Sequence, residues 1–177
     1  MKKLIGITLV GVVLTTISAQ GAGFQLSLTP DIAIHPRTTT IRGVSLGIWG
    51  ENPQHSFNFG FVNGSTGESS GFSWAIIANY ADSYKGVQWG IVNVAKTSFV
   101  GWQDGWVNYS RGTFVGFQSA LVNIAQEFKG LQLGVINYAD DLRGVQIGGL
   151  NIAVNNPWFT GFPSKLATGF PIINWSF

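Results

Sequence analysis

Large and small side chains alternate regularly along much of the chain. In "GVQWGIVNVA", residues 86–95, one set of positions is bulky and apolar and the other is small or polar. The bulky set is Val87, Trp89 and Ile91, and the other set is Gly86, Gln88, Gly90 and Val92. Because successive side chains of a β-strand point to opposite faces, this alternation predicts strands, and the chain is predicted to be all-β.

The alternating segment is a repeat with a nearly fixed period. Strong copies begin at Gly86, Gly101, Gly116, Gly130 and Gly144, and weaker copies extend the array over residues 43–153. Short charged segments such as "DSYK" and "DDLR" separate the copies and predict turns. Each unit of 14 to 15 residues therefore consists of a strand of about 10 residues and a turn of about 4.

Two architectures can use this period. In a parallel β-solenoid each unit is one coil, and equivalent residues stack into ladders. Two polar columns suit that arrangement: Gln88, Gln103, Gln118, Gln132 and Gln146, and Asn93, Asn108, Asn123, Asn137 and Asn151. In an antiparallel meander each unit is one strand, and the sheet can close into an up-and-down barrel.

The antiparallel transmembrane β-barrel is the favoured prediction, with the β-solenoid as the alternative. A coil of about 15 residues encloses little space, yet the units carry many large rings that something outside the sheet must cover. Strands of about 9 to 11 residues match the length that crosses a membrane at a tilt. The predicted strands, ten in number, are 24–34, 41–50, 56–63, 71–81, 85–95, 99–109, 114–125, 129–139, 143–153 and 171–177.

The barrel prediction assigns a location to each repeated position. The side chains predicted to face lipid are Val87, Trp89, Ile91, Trp102, Trp106, Phe117, Leu121, Leu131, Leu133, Val145 and Ile147. The side chains predicted to fill the interior are Gln88, Gln103, Gln118, Gln132 and Gln146. Asp104 is an exception, since it lies at a position that should face lipid, where a charge is costly.

The N-terminus has the pattern of a secretory signal peptide. "MKK" is basic, "LIGITLVGVVLTTIS" is apolar, and small residues follow near Ala19. We therefore expect residues 1–21 to be a signal peptide and residues 22–177 to form one domain. Cleavage would remove Lys2 and Lys3, which leaves 10 − 2 = 8 basic residues against 8 acidic ones. The neutral balance and the lack of a basic cluster give no support to a nucleic-acid partner.

The C-terminus ends in "PIINWSF", where Ile173, Trp175 and Phe177 alternate up to the last residue. This ending resembles the terminal strand of bacterial outer-membrane β-barrel proteins, and the resemblance implies recognition by the barrel-assembly machinery. The repeat over residues 43–153 resembles that of uncharacterised bacterial surface-repeat proteins with a GVQxGxxNxA-type unit. Together these resemblances imply location in the bacterial outer membrane, without an established activity.

The sequence contains no recognisable catalytic or metal-binding set. His35 and His55 are the two histidines, both in predicted turns and separated by a strand, so we expect no shared site. Cysteine is absent, and Asp140 with Asp141 are the adjacent acids, which do not make a coordination set. We therefore expect no enzyme activity and no cofactor.

Three functions remain open. The first is a non-enzymatic integral outer-membrane protein with a structural or envelope-organising role, in contact with outer-membrane lipid. The second is a porin-like or lipid-enclosing subunit of a homo-oligomeric ring, because open sheet edges in lipid would have to pair with other subunits. The third is a secreted β-solenoid that binds a surface or polymer through its flat ladders.

Overall fold

One long β-sheet winds repeatedly around a single axis. The computed structural model describes residues 21–177 of the chain. Its strands are β1 (Ala22–Thr29), β2 (Ile32–Ala33), β3 (Ile41–Asn52), β4 (His55–Trp89), β5 (Val92–Asp104), β6 (Val107–Ala153) and β7 (Gly169–Ser176). Their order in the sheet is β2-β1-β3-β4-β5-β6-β7. The lengths of β4 and β6 show that pairing continues around the corners from one turn to the next.

Successive repeats pair in parallel and in register. Between β4 and β5, Gly86 pairs with Gly101 and Gln88 with Gln103, and the same register continues from β5 into β6. Equivalent residues of neighbouring repeats are therefore adjacent, which is the arrangement of a parallel β-solenoid with 13 to 15 residues per turn. The predicted antiparallel barrel of about ten strands is wrong, and the solenoid alternative is right.

The functional descriptions that depended on a barrel fail with it. An integral outer-membrane barrel encloses its interior between antiparallel strands that each cross the bilayer. Here β3, β4, β5 and β6 are parallel neighbours, and each turn closes on its own side chains. The transmembrane, porin-like and outer-membrane barrel descriptions are therefore not supported.

A corner inside each repeat explains why the predicted ten-residue strand is not continuous. Gln88 and Asn93 are both fully buried, although five residues separate them. A straight strand would place them on opposite faces. The backbone bends at Gly90 and Ile91, so Ile91 and Val92 both point outward and Asn93 returns to the interior.

Each turn has three sides, which we define on residues 86–100. The first side is 86–90, the second side is 91–95 and the third side is 96–100. Between the first and third sides, the corner glycines have positive φ values, as at Gly116 (φ 137°). A Cβ at Gly116 would lie 2.0 Å from the carbonyl oxygen of Gly101, so the close approach of successive turns requires glycine here.

Two buried amide ladders run along the inside of the solenoid. In the glutamine ladder each Nε2 donates to the Oε1 of the preceding turn, as from Gln103 to Gln88 at 3.0 Å. In the asparagine ladder each Nδ2 donates to the Oδ1 of the following turn, as from Asn93 to Asn108 at 2.9 Å. The two ladders therefore point their donors in opposite directions, and their amide dipoles oppose each other.

An apolar column fills the rest of the interior. The rings of Phe99 and Phe114 stack with centroids 5.0 Å apart, and those of Phe114 and Phe128 stack at 5.3 Å. Tyr84 extends the stack at one end, 5.8 Å from Phe99. Beside it runs a column of small residues: Ala81, Ala95, Ser110, Ala125, Ala139 and Ala153. Rings and small side chains together close the narrow interior.

Both ends of the solenoid are capped. At the N-terminal end β2 pairs antiparallel with β1, and the backbone at His35 exchanges two hydrogen bonds with the Gln25 side chain. At the C-terminal end β7 lies antiparallel on the last turn, where Asn174 pairs with Gln146. Residues 164–166 in turn hydrogen-bond to β7. The caps cover edges that would otherwise pair with other chains.

The ring stack gives a stability prediction. Phe114 is fully buried between two rings, so Phe114→Ala should lower the free energy of unfolding by about 3 to 5 kcal/mol. Leu121→Ala, at a side chain that points outward in the next turn, is the control and should change it by less than about 0.5 kcal/mol. Urea unfolding followed by circular dichroism measures both. Equal losses in the two variants would contradict this assignment of the core.

Candidate binding surface

The large apolar side chains lie on the outside of the solenoid, because amides, small residues and one ring stack occupy its interior. The glutamines predicted to lie inside a barrel, Gln88, Gln103, Gln118, Gln132 and Gln146, are fully buried within the turns. The residues predicted to face lipid all point outward and are half-buried or exposed. They are Val87, Trp89, Ile91, Trp102, Trp106, Phe117, Leu121, Leu131, Leu133, Val145 and Ile147. The structure thus exposes a large apolar surface.

The second side carries the most continuous part of this surface, which we name the apolar ridge. It contains one large side chain from each of seven successive turns, and each is between 41% and 62% exposed. Its members are Ile48, Phe61, Ile77, Ile91, Trp106, Leu121 and Val135. Neighbouring strands lie about 4.8 Å apart, so the ridge is a straight line of roughly 30 Å.

The first side carries a row of contacting aromatic rings. Phe72 lies 5.2 Å from Trp89, Trp89 lies 5.1 Å from Trp102, and Trp102 lies 5.9 Å from Phe117, measured between ring centroids. Asp104 lies on this side next to the row, pairs in register with Trp89 and is half-buried. Because of this carboxylate the first side is less uniformly apolar than the ridge.

Charge is concentrated on the third side. Within residues 43–153 the charged side chains outside it are Glu51 and Asp104. On the third side Lys96 forms an ion pair of 2.9 Å with Asp82, whose carboxylate also accepts a hydrogen bond from the Gly67 amide. The Gly67 hydrogen bond, and then Lys96, lower the pKa of Asp82. The cross-section is therefore polar on one side and apolar on two.

A tyrosine-containing column separates the ridge from the charged side. It contains Tyr80, Tyr109 and Tyr138. The Tyr138 hydroxyl donates to Asp140 at 2.7 Å, and this hydrogen bond raises its pKa. The Tyr80 hydroxyl donates to Glu51 and accepts from the Trp49 indole at 3.0 Å. Each of these two phenols therefore points its polar atom at a polar partner while its ring borders the apolar face.

Backbone polar groups at the bend between the first and second sides are satisfied within the solenoid. Gly90 donates to the carbonyl of Asp104 at 3.1 Å, and Trp106 donates to that of Ile91 at 2.9 Å. The sides themselves pair turn to turn. An apolar partner could therefore cover these sides without leaving those amides unpaired.

One Ser–His contact was not foreseen from the sequence. The His55 ring Nδ1 lies 2.8 Å from the Ser70 hydroxyl, because the register places these residues in adjacent turns. Both side chains lie at the surface, and within residues 21–177 no carboxylate is hydrogen-bonded to the other ring nitrogen. His35 lies apart, in the N-terminal cap. The pair lacks the oriented base that nucleophilic catalysis uses.

Neither a metal site in the described residues nor a comparison with known proteins points to a function. Residues 21–177 contain no group of three side chains suited to hold a metal ion. No helix among them is long and apolar enough to cross a membrane. The chain matches no family model, no curated protein and no solved structure. The predicted signal peptide, residues 1–21, lies almost entirely outside the residues that the structure describes.

Tyr80 gives a pH prediction. Its partial burial, and then its hydrogen bond to Glu51, raise its pKa to about 12, so the folded protein favours the neutral phenol. The stability that this provides is present below the usual pKa of about 10 and is lost as the pH rises through about 12. The measurement is the phenolate absorbance of wild type and Tyr80→Phe. When folded, the two proteins should gain equal phenolate absorbance between about pH 9 and 11. When unfolded in urea, wild type should gain the absorbance of one more phenolate than Tyr80→Phe.

A loss of phenolate signal from folded Tyr80→Phe in that pH range would contradict the assignment. It would show that Tyr80 ionises at its ordinary pKa and that the contact with Glu51 does not hold the proton. Circular dichroism of Tyr80→Phe checks that the substitution itself does not unfold the chain.

Proposed function

We propose that the protein is an exported, non-enzymatic β-solenoid that binds an apolar partner surface through the apolar ridge. The observation that carries this proposal is the ridge itself: seven exposed large side chains in line, on a side whose one charged residue within 43–153 is Glu51. Monomeric soluble proteins rarely leave apolar patches of this extent uncovered. Export follows from the predicted signal peptide and belongs to the same proposal.

Burial of the ridge contributes a substantial part of the free energy of attachment. Fully burying a side chain of this size contributes about 1.5 to 3 kcal/mol, so covering a half-exposed one contributes about 1 kcal/mol. Seven of them offset much of the cost of association, which is of the order of 4 to 15 kcal/mol. Adjacent exposed side chains, such as Trp49 and Leu150, widen the contact.

The solenoid suits this role because it holds the ridge rigid. Buried ladders and stacked rings fix each turn against the next, so the ridge loses little conformational freedom on binding. Within residues 21–177 one polar cleft, of about 740 Å³, lies near the C-terminal end and is lined by charged side chains such as Glu127, Lys129 and Arg143. It contains no histidine, and none of its acidic side chains is ion-paired with one of its basic ones. Binding, rather than catalysis, therefore fits the geometry best.

A pair of substitutions tests the ridge. Trp106→Ser with Leu121→Ser removes two adjacent ridge side chains that point outward, so the fold should persist while attachment weakens about tenfold or more. The matched control is Val100→Ser with Val115→Ser, two adjacent outward side chains of the third side. Binding of the purified chain to an alkyl-coated sensor, compared with a hydrophilic one, measures the effect.

Equal binding by the ridge variant and by wild type would refute the proposal. Equal weakening in the control would also refute it, because attachment would then not depend on which side carries the apolar residues. Circular dichroism of each variant confirms that the turns remain folded.

A further inference from the structure

We infer that the apolar partner is the surface of a lipid bilayer, on which the solenoid lies with its ridge in the acyl region and its third side in water. This inference rests on the proposed function and names the partner. It concerns attachment to one leaflet by a folded solenoid, with no strand crossing the membrane. Four features of the described residues support lipid over another protein.

The first feature is the order in which apolar, tyrosine-containing and charged columns of side chains follow one another across the surface. The ridge is apolar, and so is the adjoining outward column that contains Val92 and Val107. The outward column after that contains Tyr80, Tyr109 and Tyr138, and the charged third side follows. Aromatic residues with a polar tip favour the boundary between hydrocarbon and water, with apolar groups deeper and charges outside. The hydroxyls of Tyr80 and Tyr138 donate to the carboxylates of Glu51 and Asp140. This gradient matches that of a surface-bound amphipathic element.

The second feature is the completed backbone hydrogen bonding of the second side. Hydrocarbon cannot hydrogen-bond, so it covers backbone only where amides and carbonyls are already paired. The register pairs of Val92, Asn93 and Val94 continue from β4 through β5 into β6, and the bend amide of Trp106 is also paired. A protein partner would not require this completeness, whereas lipid does.

The third feature is an apolar cleft at the N-terminal end of the ridge. It has a volume of about 570 Å³ and is lined chiefly by Leu26, Leu28, Ile32, Ile34 and Ile48. Ile48 also begins the ridge, so cleft and ridge form one continuous surface. The cleft is open to the surface, and its apolar lining suits a linear apolar group such as an acyl chain lying along it.

The fourth feature is the lack of charge for a partner to match. The ridge offers no ion-pairing group, and residues 22–177 carry 8 basic and 8 acidic side chains. Attachment should therefore be driven by apolar burial, and it should need neither anionic lipid nor low salt.

Flotation with vesicles of pure phosphatidylcholine tests the inference. Wild type should float with the vesicles, and its bound fraction should be unchanged at about 1 M NaCl, where the Debye length is about 3 Å. Trp106→Ser with Leu121→Ser should reduce partitioning at least tenfold, and Val100→Ser with Val115→Ser should reduce it less than twofold. Leu28→Ser with Ile32→Ser, in the cleft, should reduce it as well.

The outcomes separate this inference from the proposed function. Ridge-dependent binding to the alkyl-coated sensor without flotation would overturn the lipid partner and leave the proposed function standing. Flotation only with anionic lipid, abolished by salt, would overturn it too. Ridge-dependent dimers in light scattering, with no flotation, would show that a second copy covers the ridge. Failure on both sensor and vesicles would overturn the proposed function as well.

Discussion

The structure depends on the parallel, in-register stacking of turns that the buried amide ladders hold together. An amide side chain inside a turn has no water to bond, so an unpaired one costs about 1 to 3 kcal/mol. Each Gln and Asn of the ladders finds its partner one turn away and in the same column. A shift of one residue would bury Val or Ile in the amide columns and leave amides unpaired. The ladders therefore specify the register as well as stabilise it.

The directional ladders also explain two unpaired atoms. Because each glutamine donates to the preceding turn, the first member has a free donor and the last a free acceptor. Among the buried atoms of residues 21–177 without a partner are Gln88 Nε2 and Gln146 Oε1, which are these two ends. Repeats of this kind cannot be stable singly, since each turn supplies half of the bonds of its neighbours.

Filling the interior with amides, alanines and phenylalanines leaves most of the other large apolar side chains outside. A turn of 13 to 15 residues has room for few side chains, so Trp106 and Leu121 have no interior position available. The apolar exterior is thus a direct consequence of the narrow coil, and charge is left on the third side. The proposed function follows from this partition, because the second side carries the continuous apolar ridge.

The sequence predicted the β class, the repeat period and the two polar columns, but the pairing direction was predicted wrongly. In a barrel and in a solenoid alike, Trp102 points outward and Gln103 points inward. Alternation within one strand therefore cannot distinguish the two architectures. The spacing of Gln88 and Asn93 could have done so, because two inward residues five apart require a corner. The contact of His55 with Ser70 could not be predicted, since it exists only once the register is known.

The most direct test of the parallel register is a disulfide between adjacent turns. Ser98 and Thr113 are register partners in β5 and β6, and neighbouring strands about 4.8 Å apart are within the Cα distance that a disulfide spans. The chain has no cysteine of its own, so Ser98→Cys with Thr113→Cys reports on this pair alone. We expect rapid, nearly complete oxidation, and none for Ser98→Cys with Glu127→Cys, two turns apart. In an antiparallel meander residues 98 and 113 would lie at opposite strand ends, roughly 30 Å apart, so failure of the first pair to oxidise in the folded chain would contradict the solenoid.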